Sequence, residues 1–393
     1  MDDVELRELV PQVLSVLVRR GADFATAEDA VQEALIRAVS AWEEELPSDP
    51  EGWLITVAWR AFVDSARSDA TRRDREVRFD TEPPTGVVPS ADDTLRLYFL
   101  CAHPEMTPSS AVALTLRAVG GLTTRQIAQA YLVPESTMAQ RISRAKRTVG
   151  RSGLDRLGNV RTVMRVLYLI FNEGYSGDVD LAAEAIRITR QLASSVNDPE
   201  VHGLLALMLL HYARRRSRTR PDGRIVPLAD QDRSLWDNEL IAEGIAIVQA
   251  ALARDRLGEY QTQAAIAALH ADATRVEDTD WVQIVEWYDE LLQFADTPIV
   301  RLNRAVAVGE AEGAPAGLAA LAQVDEHIPR RDAVAAYLHE KNGDFELAAR
   351  LYADAAHNAP NLAERDHQMR QAARLNQMLR HHQRPPRSQG RGR

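Results

Sequence analysis

The chain has 393 residues, two to three times the ~100–200 of an ordinary domain, so it holds more than one core. Hydrophobic residues at 45% and charged residues at 26% exclude a disordered chain. A formal net charge of -10 excludes a protein that coats nucleic acid by charge alone, and confines any DNA contact to a local patch.

Residues 1–78 predict helices. Leu6, Leu9, Val10, Val13, Leu14 and Leu17 recur at helical spacing. A second helix is expected from about Thr26 to Trp42, with Ala30, Val31, Ala34, Leu35, Ala38 and Val39 inward and Asp29, Gln32, Glu33 and Ile36 off that stripe. Residues 1–50 hold twelve carboxylates and four arginines, which repels DNA and suits a basic protein partner. A third helix follows Pro50 and carries Trp53, Leu54, Val57, Ala58 and Phe62. Its Trp59 and Arg60, with Arg67, Arg72 and Arg73 beyond, suit unstacked bases on a single strand.

Residues 79–91 lack periodicity and contain Pro83, Pro84 and Pro89, so they read as a flexible linker. Residues 92–151 are helical again, interrupted at Pro104–Pro108, Gly120-Gly121 and Pro134. Within them Thr123 or Thr124 caps a short helix with Ile127, Ala128 and Tyr131 inward. The turn Leu132-Val133-Pro134 then opens a second helix, completing a helix-turn-helix. Glu135, Ser136 and Thr137 stand at its N-terminal end, where base edges and phosphates are met. Gln140, Arg141 and Arg144 follow on one face, with Lys146, Arg147 and Arg151 beyond. From 111 to 151 seven basic residues oppose one acid, Glu135.

From 160 to 380 alanine-rich amphipathic helices dominate. The exception, 218–237, holds the turn pair Asp222-Gly223 and the segment PLADQDRSLWD. There Asp230, Asp232 and Asp237 could hold a cation, but the spacing is not that of an EF-hand. The favoured reading has Asp232 or Asp237 capping a helix near Ser234, Arg233 paired to a carboxylate and Trp236 buried. GYSGDVDLAAEAIRI (174–188) reads as a loop leading into a capped helix. Pro298, Pro329 and Pro360 fall at even intervals, and Ala348, Tyr352, Ala355 and Pro360 have tetratricopeptide (TPR) spacing, weakly supported by Ala336 and Gly343. The basic end, 381–393, reads as a disordered tail.

Several chemistries find no support. There is no glycine-rich phosphate loop, HExxH or GxSxG, so no enzyme and no cofactor is expected. The single cysteine, Cys101, excludes an intramolecular disulfide, and with His103 it makes too few ligands for zinc. No apolar run reaches the ~18 residues of a membrane helix, and the acidic start MDDVELRELV is no signal peptide, so a cytoplasmic protein with no membrane contact is expected.

The order of these segments resembles the extracytoplasmic-function (ECF) sigma factors. AEDAVQEALIRA (27–38) resembles the helix by which that family binds the β′ clamp helices of RNA polymerase. That likeness implies polymerase contacts at Asp29, Gln32 and Glu33. WLITVAWRAFVDSARSDATRR (53–73) resembles the helix that melts and reads the -10 element, implying roles for Trp59, Arg60, Asp64 and Arg67. Trp59-Arg60 stands where the family usually has Arg-Asn. LVPESTMAQRISRAKRTV (132–149) resembles the -35 recognition helix, implying contacts at Glu135, Ser136, Thr137, Gln140, Arg141, Arg144, Lys146 and Arg147.

FLCAHPEM, GGLTTRQIAQAYLVPESTMAQRISRAKR, LYLIFNEGY and PLADQDRSLWD further resemble the group with a TPR-like C-terminal domain. Ala102 replaces a cysteine of many relatives, and RTVGRSGLDRLGNV (147–160) is a shorter linker than theirs. The fold implied is all-α. It consists of a σ2 domain (1–78), the linker (79–91), a σ4 domain with the helix-turn-helix (92–151), a TPR-like regulatory domain (160–380) and the tail. The partners implied are the β′ and β subunits of core polymerase, promoter DNA, and the C-terminal domain itself in contact with the sigma domains. Asp232, Arg233, Trp236 and Asp237 form a candidate regulatory loop. A stand-alone helix-turn-helix regulator with a helical sensor domain is the alternative. Segments 27–42 and 50–73 separate the two, since that alternative requires neither.

Overall fold

The computed structural model describes residues 3–42, 45–73, 91–152, 158–176, 179–220, 224, 226–325, 327–328, 330–359 and 362–382. Most of the expected linker, the Asp222-Gly223 turn, Pro329, Pro360 and most of the tail lie outside them. The chain divides into two compact units, 1–201 and 202–393.

The first unit opens with α1 (Asp3–Glu8), α2 (Val10–Arg19), α3 (Phe24–Ala41) and α4 (Pro50–Arg73). The expected stripe of α2 is its buried face, with Val10, Val13, Leu14 and Leu17 in the core. Gly21, at φ +93°, ends that run in a conformation open to glycine. α3 then starts at Phe24 rather than near Thr26, because the Asp23 carboxylate accepts the Thr26 N–H at 3.0 Å and caps the helix earlier. Leu54, Ala58 and Phe62 of α4 are buried, and α3 and α4 pack together over α2.

α5 (Ala91–Cys101) and α6 (Pro108–Ala118) lead to α7 (Thr124–Ala130) and α8 (Glu135–Ser152). Thr123 caps α7 in a reciprocal box with Gln126. Leu132 makes the turn into α8 at φ +50°, a left-handed conformation for a side chain that is 84% exposed. α8 buries Met138, Ile142, Ala145 and Val149 at helical spacing against α6 and α7.

α9 (Val160–Glu173) begins at an Asn159–Thr162 capping box. It returns through a two-residue antiparallel ladder, β1 (Tyr175–Ser176) and β2 (Val179–Asp180), to α10 (Leu181–Ser195), which Asp180 caps. The 174–188 segment is therefore a tiny hairpin before a capped helix.

The second unit takes up the chain within α11 (Pro199–Ala213). It continues as α12 (Asn238–Leu252), α13 (Glu259–Asp272), α14 (Trp281–Phe294), α15 (Pro298–Ala311), α16 (Ala314–Leu321), α17 (Arg331–Lys341), α18 (Phe345–His357) and α19 (Leu362–His382). From α12 onward each helix packs on the next, as in a stacked array. Pro298 occupies the first turn of α15, capped by Thr297. Ala336, Ala348, Tyr352 and Ala355 are buried between α17, α18 and α19, and Gly343, at φ +87°, makes the α17–α18 turn. α15 and α16 cross at glycine: a Cβ on Gly317 would lie 2.7 Å from the Cα of Gly309.

Candidate nucleic-acid and partner interface

The buried stripe of α8 leaves Glu135, Ser136, Thr137, Gln140, Arg144 and Arg147 exposed, with Arg141 half-buried. These side chains project from the N-terminal half and one flank of the second helix of a helix-turn-helix, where an element entering a major groove presents its reading groups. Arg141 and Arg144 also line a groove with Ser109 and Ser110 of α6. Lys146 differs. Its side chain is 12% exposed, and its ammonium pairs with Glu28 and, at 2.7 Å, with Asp29 on α3.

On α3 the three expected partner-binding residues separate. Asp29 and Glu33 are exposed and share a face with Ile36, 67% exposed, so acid surrounds an uncovered apolar side chain. Asp29 is bound to Lys146, and Glu33 pairs with Arg37 one turn on. Gln32 is a correction: it is 6% exposed and donates to the Arg117 carbonyl at 3.4 Å, so in this arrangement it faces the protein. Val39, expected inward, is 48% exposed.

Trp59 is also corrected. Its ring is 1% exposed, tilted against Phe62 at 5.3 Å between centroids and covered by the Arg20 guanidinium at 5.5 Å. It cannot stack on a base from there, because residues 54, 58 and 62 place one face of α4 inward and 59 falls beside them. Arg60, Asp64 and Arg67 lie on the exposed face.

Sequence reasoning missed the charges that join these elements. Glu28 of α3 is 1% exposed and takes Arg117 Nε at 2.8 Å. Its oxygens form ion pairs without an aligned hydrogen bond. At the other edge Glu184 of α10, also buried, pairs with Arg187 at 2.5 Å and with Arg7 Nη1 at 3.6 Å. Arg187 donates to the Gly120 carbonyl at 3.4 Å, and Tyr98 donates to the Ile188 carbonyl at 3.2 Å. A Cβ on Gly120 would lie 2.7 Å from the Leu116 carbonyl oxygen and 3.0 Å from Glu184 Oε1. The Gly-Gly pair, read from sequence as a break, is where α1, α6 and α10 converge. The only signal for this was the pairing of two glycines where one suffices for a turn.

Cys101 is fully buried, and burial first, then the charge of Glu28, pushes its thiol well above the usual range, so it is an inert core residue. His103 is buried and accepts the Glu105 N–H at its Nδ1.

In the second unit Asp232 and Asp237 both cap, but two different elements. Asp232 accepts the Ser234 N–H of a single 3₁₀ turn, and Asp237 accepts the Leu240 N–H of α12. Arg233 binds carbonyls rather than the expected carboxylate, donating to His270 at 2.8 Å and Ala273 at 2.5 Å. Trp236 is buried as expected; it donates to Ser217 Oγ at 2.8 Å, with Arg233 and Arg214 at 4.4 and 5.7 Å from its ring. Burial, then Arg214 and Arg218, pull the His211 pKa down to about 3; burial, Arg214 and Arg233 pull His270 down to about 4. The loop is thus a neutral-histidine, stacked-arginine knot. Among the described residues no group of three or more His, Cys, Asp or Glu side chains could hold a metal ion, and no helix is long and apolar enough to cross a membrane.

Three family patterns match the chain: Sigma-70 region 2 over 6–72, Sigma-70 region 4 over 96–149, and a family of unknown function, DUF6596, over 159–252. An uncharacterized protein of Rhizobium meliloti is 39% identical over 83% of the chain and 84% of its own length. The probable ECF RNA polymerase sigma factor SigI of Mycobacterium tuberculosis is 31% identical over 44% of the chain and 63% of its own length. SigJ of the same organism, named an ECF RNA polymerase sigma factor, is 29% identical over 38% and 50%. No solved structure matches.

Proposed function

The chain belongs to the ECF sigma factors, which direct core RNA polymerase to promoters, and from that premise we propose which of its residues do so and what its C-terminal part adds. The exposed row Glu135, Ser136, Thr137, Gln140 and Arg144, flanked by Arg141 and Arg147, grips the -35 duplex. The observation carrying this is that the buried stripe of α8 turns that whole row outward from a capped helix-turn-helix. Arg60, Asp64 and Arg67 serve the -10 strand. Asp29 and Glu33, around exposed Ile36, serve the β′ clamp helices, where acid needs a basic partner and an apolar centre excludes water. The linker joins the two DNA-binding domains and threads toward the polymerase. The protein works in the cytoplasm and catalyses no reaction of its own.

The C-terminal helices control these domains through the junction of Arg7, Glu184, Arg187 and Gly120. Packing of α9 and α10 on α5 and α6 supports this. The knot at Asp232, Arg233, Trp236 and Asp237 holds the array behind it in shape.

Run-off transcription with core polymerase on the promoter region of this protein's own gene tests the reading. Full-length protein yields a specific transcript, Arg144→Ala and the double Asp29→Ala/Glu33→Ala lose most of it, and Glu184→Gln changes its amount. A transcript indifferent to all three substitutions refutes the assignments.

A further inference from the structure

The end of α11 runs into a strongly basic stretch: Arg214, Arg215, Arg216, Arg218 and Arg220 stand close together in a chain whose net charge is -10. Part of this charge is used locally, since Arg215 lies over the Tyr212 ring at 3.8 Å and donates to the Tyr212 carbonyl. The rest converges. Arg214 donates to His211 Nδ1 at 2.9 Å, and Arg233, from the loop before α12, lies with Arg214 against the Trp236 ring. Arg218 is exposed, and its charge bears on both His211 and Arg214.

What this cluster lacks is an anion. Among the described residues no carboxylate pairs with Arg214, Arg218 or Arg233. The loop's own acids are turned to backbone, Asp232 to the Ser234 N–H and Asp237 to the Leu240 N–H. Glu277 and Asp278 act on Arg233 only at longer range, and Asp278 is held by Arg275 at 3.3 Å. At neutral pH all three guanidiniums keep their protons. Burial, then Arg218 and Arg233, pull Arg214 down to about 10, and both histidines stay neutral beside them. The Nε of Arg233 is buried with no acceptor. Like charges gathered in a half-buried place without a counter-ion cost stability, and an arriving anion relieves that cost.

We propose that Arg214, Arg218 and Arg233 form an effector site for the phosphoryl group of a small molecule. Guanidinium forks match phosphate oxygens in pairs. Arg233 Nε supplies a buried donor in want of an acceptor, and exposed Arg218 marks the side from which the anion enters. Three cations call for a dianion. A terminal phosphoryl group carries about -1.5 to -2 at neutral pH, whereas a carboxylate or a phosphodiester of a DNA backbone carries a single charge. The bound group joins the end of α11 to the loop before α12. Through the His270 and Ala273 carbonyls that Arg233 holds, it also reaches the end of α13. Occupancy therefore sets how firmly these helices hold together. Every residue of the site belongs to the second unit, so it stands or falls apart from the sigma-factor reading.

The test titrates the full chain with inorganic phosphate, with AMP as a phosphate monoester, and with acetate, all at one ionic strength so that screening is constant. Binding is read by calorimetry, and hydrogen exchange is followed in peptides of α11 and α13. The expected result is saturable binding of phosphate or AMP, slower exchange at the ends of both helices and a higher unfolding temperature of the second unit. Acetate produces none of these. Whichever of phosphate and AMP binds more tightly identifies the source as the free ion or an ester. Arg218→Gln weakens binding about tenfold or more, as loss of a charge-assisted hydrogen bond requires. Arg216→Gln, exposed on the same turn, leaves affinity within about twofold. Without anion Arg218→Gln melts at or above the temperature of the parent, because it relieves repulsion, so lost binding is not mistaken for lost folding. Four results overturn the proposal: no saturable binding of phosphate or AMP, acetate binding as well as they do, equal losses in Arg216→Gln and Arg218→Gln, or an Arg218→Gln protein that melts lower without anion. The third would mark a diffuse basic surface, and the fourth a guanidinium that serves the fold alone.

Discussion

Gly121 lies in the turn before α7 at φ +69°, and a Cβ there would stand 2.9 Å from Val10 Cγ2 and 3.1 and 3.2 Å from Arg7 Cγ and Cβ. Alanine at this position costs twice. Left-handed backbone for a residue with a Cβ costs ~1–2 kcal/mol, and overpacking adds ~1–3 kcal/mol. The crowding atoms are a methyl of Val10, 1% exposed, and the Cβ–Cγ stem of Arg7, neither the free end of a flexible side chain, so the second cost stands undiscounted and the sum is about 2–5 kcal/mol. Gly150, near the end of α8, supplies the control: nothing lies within 4 Å of its Cβ position. Alanine there stabilises the helix by up to about 1 kcal/mol. The same chemical change in the same unit therefore has opposite signs. Urea unfolding of the full chain, read by hydrogen exchange in peptides of α2 and α8, resolves the first unit from the second. With a slope of ~1–3 kcal/mol/M, Gly121→Ala lowers the midpoint by roughly 1–2 M and Gly150→Ala raises it by several tenths. A Gly121→Ala midpoint within about 0.3 M of the parent, or both variants shifting the same way, refutes the argument that this turn is packed against α1 and α2.

Two further outcomes follow from burial. His211 and His270 are held neutral, with pKa values depressed below the ~6.5 of an unfolded chain, so their contribution is complete above pH 6.5 and is lost as pH falls toward 4 and then 3. By pH 5 each costs about 2 kcal/mol; thermal melts of the second unit fall between pH 7 and pH 5, and His211→Asn removes about half of that dependence, whereas a flat profile refutes neutral burial. Trp59→Ala costs about 3–5 kcal/mol in unfolding measurements as a core aromatic, while Arg60→Ala stays within about 0.5 kcal/mol and lowers promoter opening by permanganate footprinting. A Trp59→Phe protein that melts like the parent but no longer opens the promoter would return Trp59 to the DNA.

Much of this architecture is written locally. The α2 stripe, the α7–turn–α8 pattern, the caps at Asp23, Thr123, Asp232 and Asp237, and the buried Ala348, Tyr352 and Ala355 set depend on residues within a turn or two of each other. Helical periodicity and capping are properties of short segments, so chain order suffices to find them. The exposed row of α8 follows from the same periodicity once its inner stripe is recognised.

What needed the tertiary structure were the side chains whose partners lie far along the chain. Trp59 and Gln32 sit at the margin of an amphipathic stripe, where burial depends on what packs alongside rather than on the residue itself, and Arg20 and Arg117 supply that cover. Arg233 could have met a carboxylate or a carbonyl; the chain reversal that brings Ala273 and His270 to it selects carbonyls. Glu28 is the clearest instance. Nothing nearby in sequence distinguishes it from Glu33, which is exposed and bound one turn away to Arg37. Its role is set by Arg117 and Lys146, some ninety and one hundred and twenty residues further on. A carboxylate is tolerated in a buried position only where cations arrive to meet it, and only the folded chain brings them there.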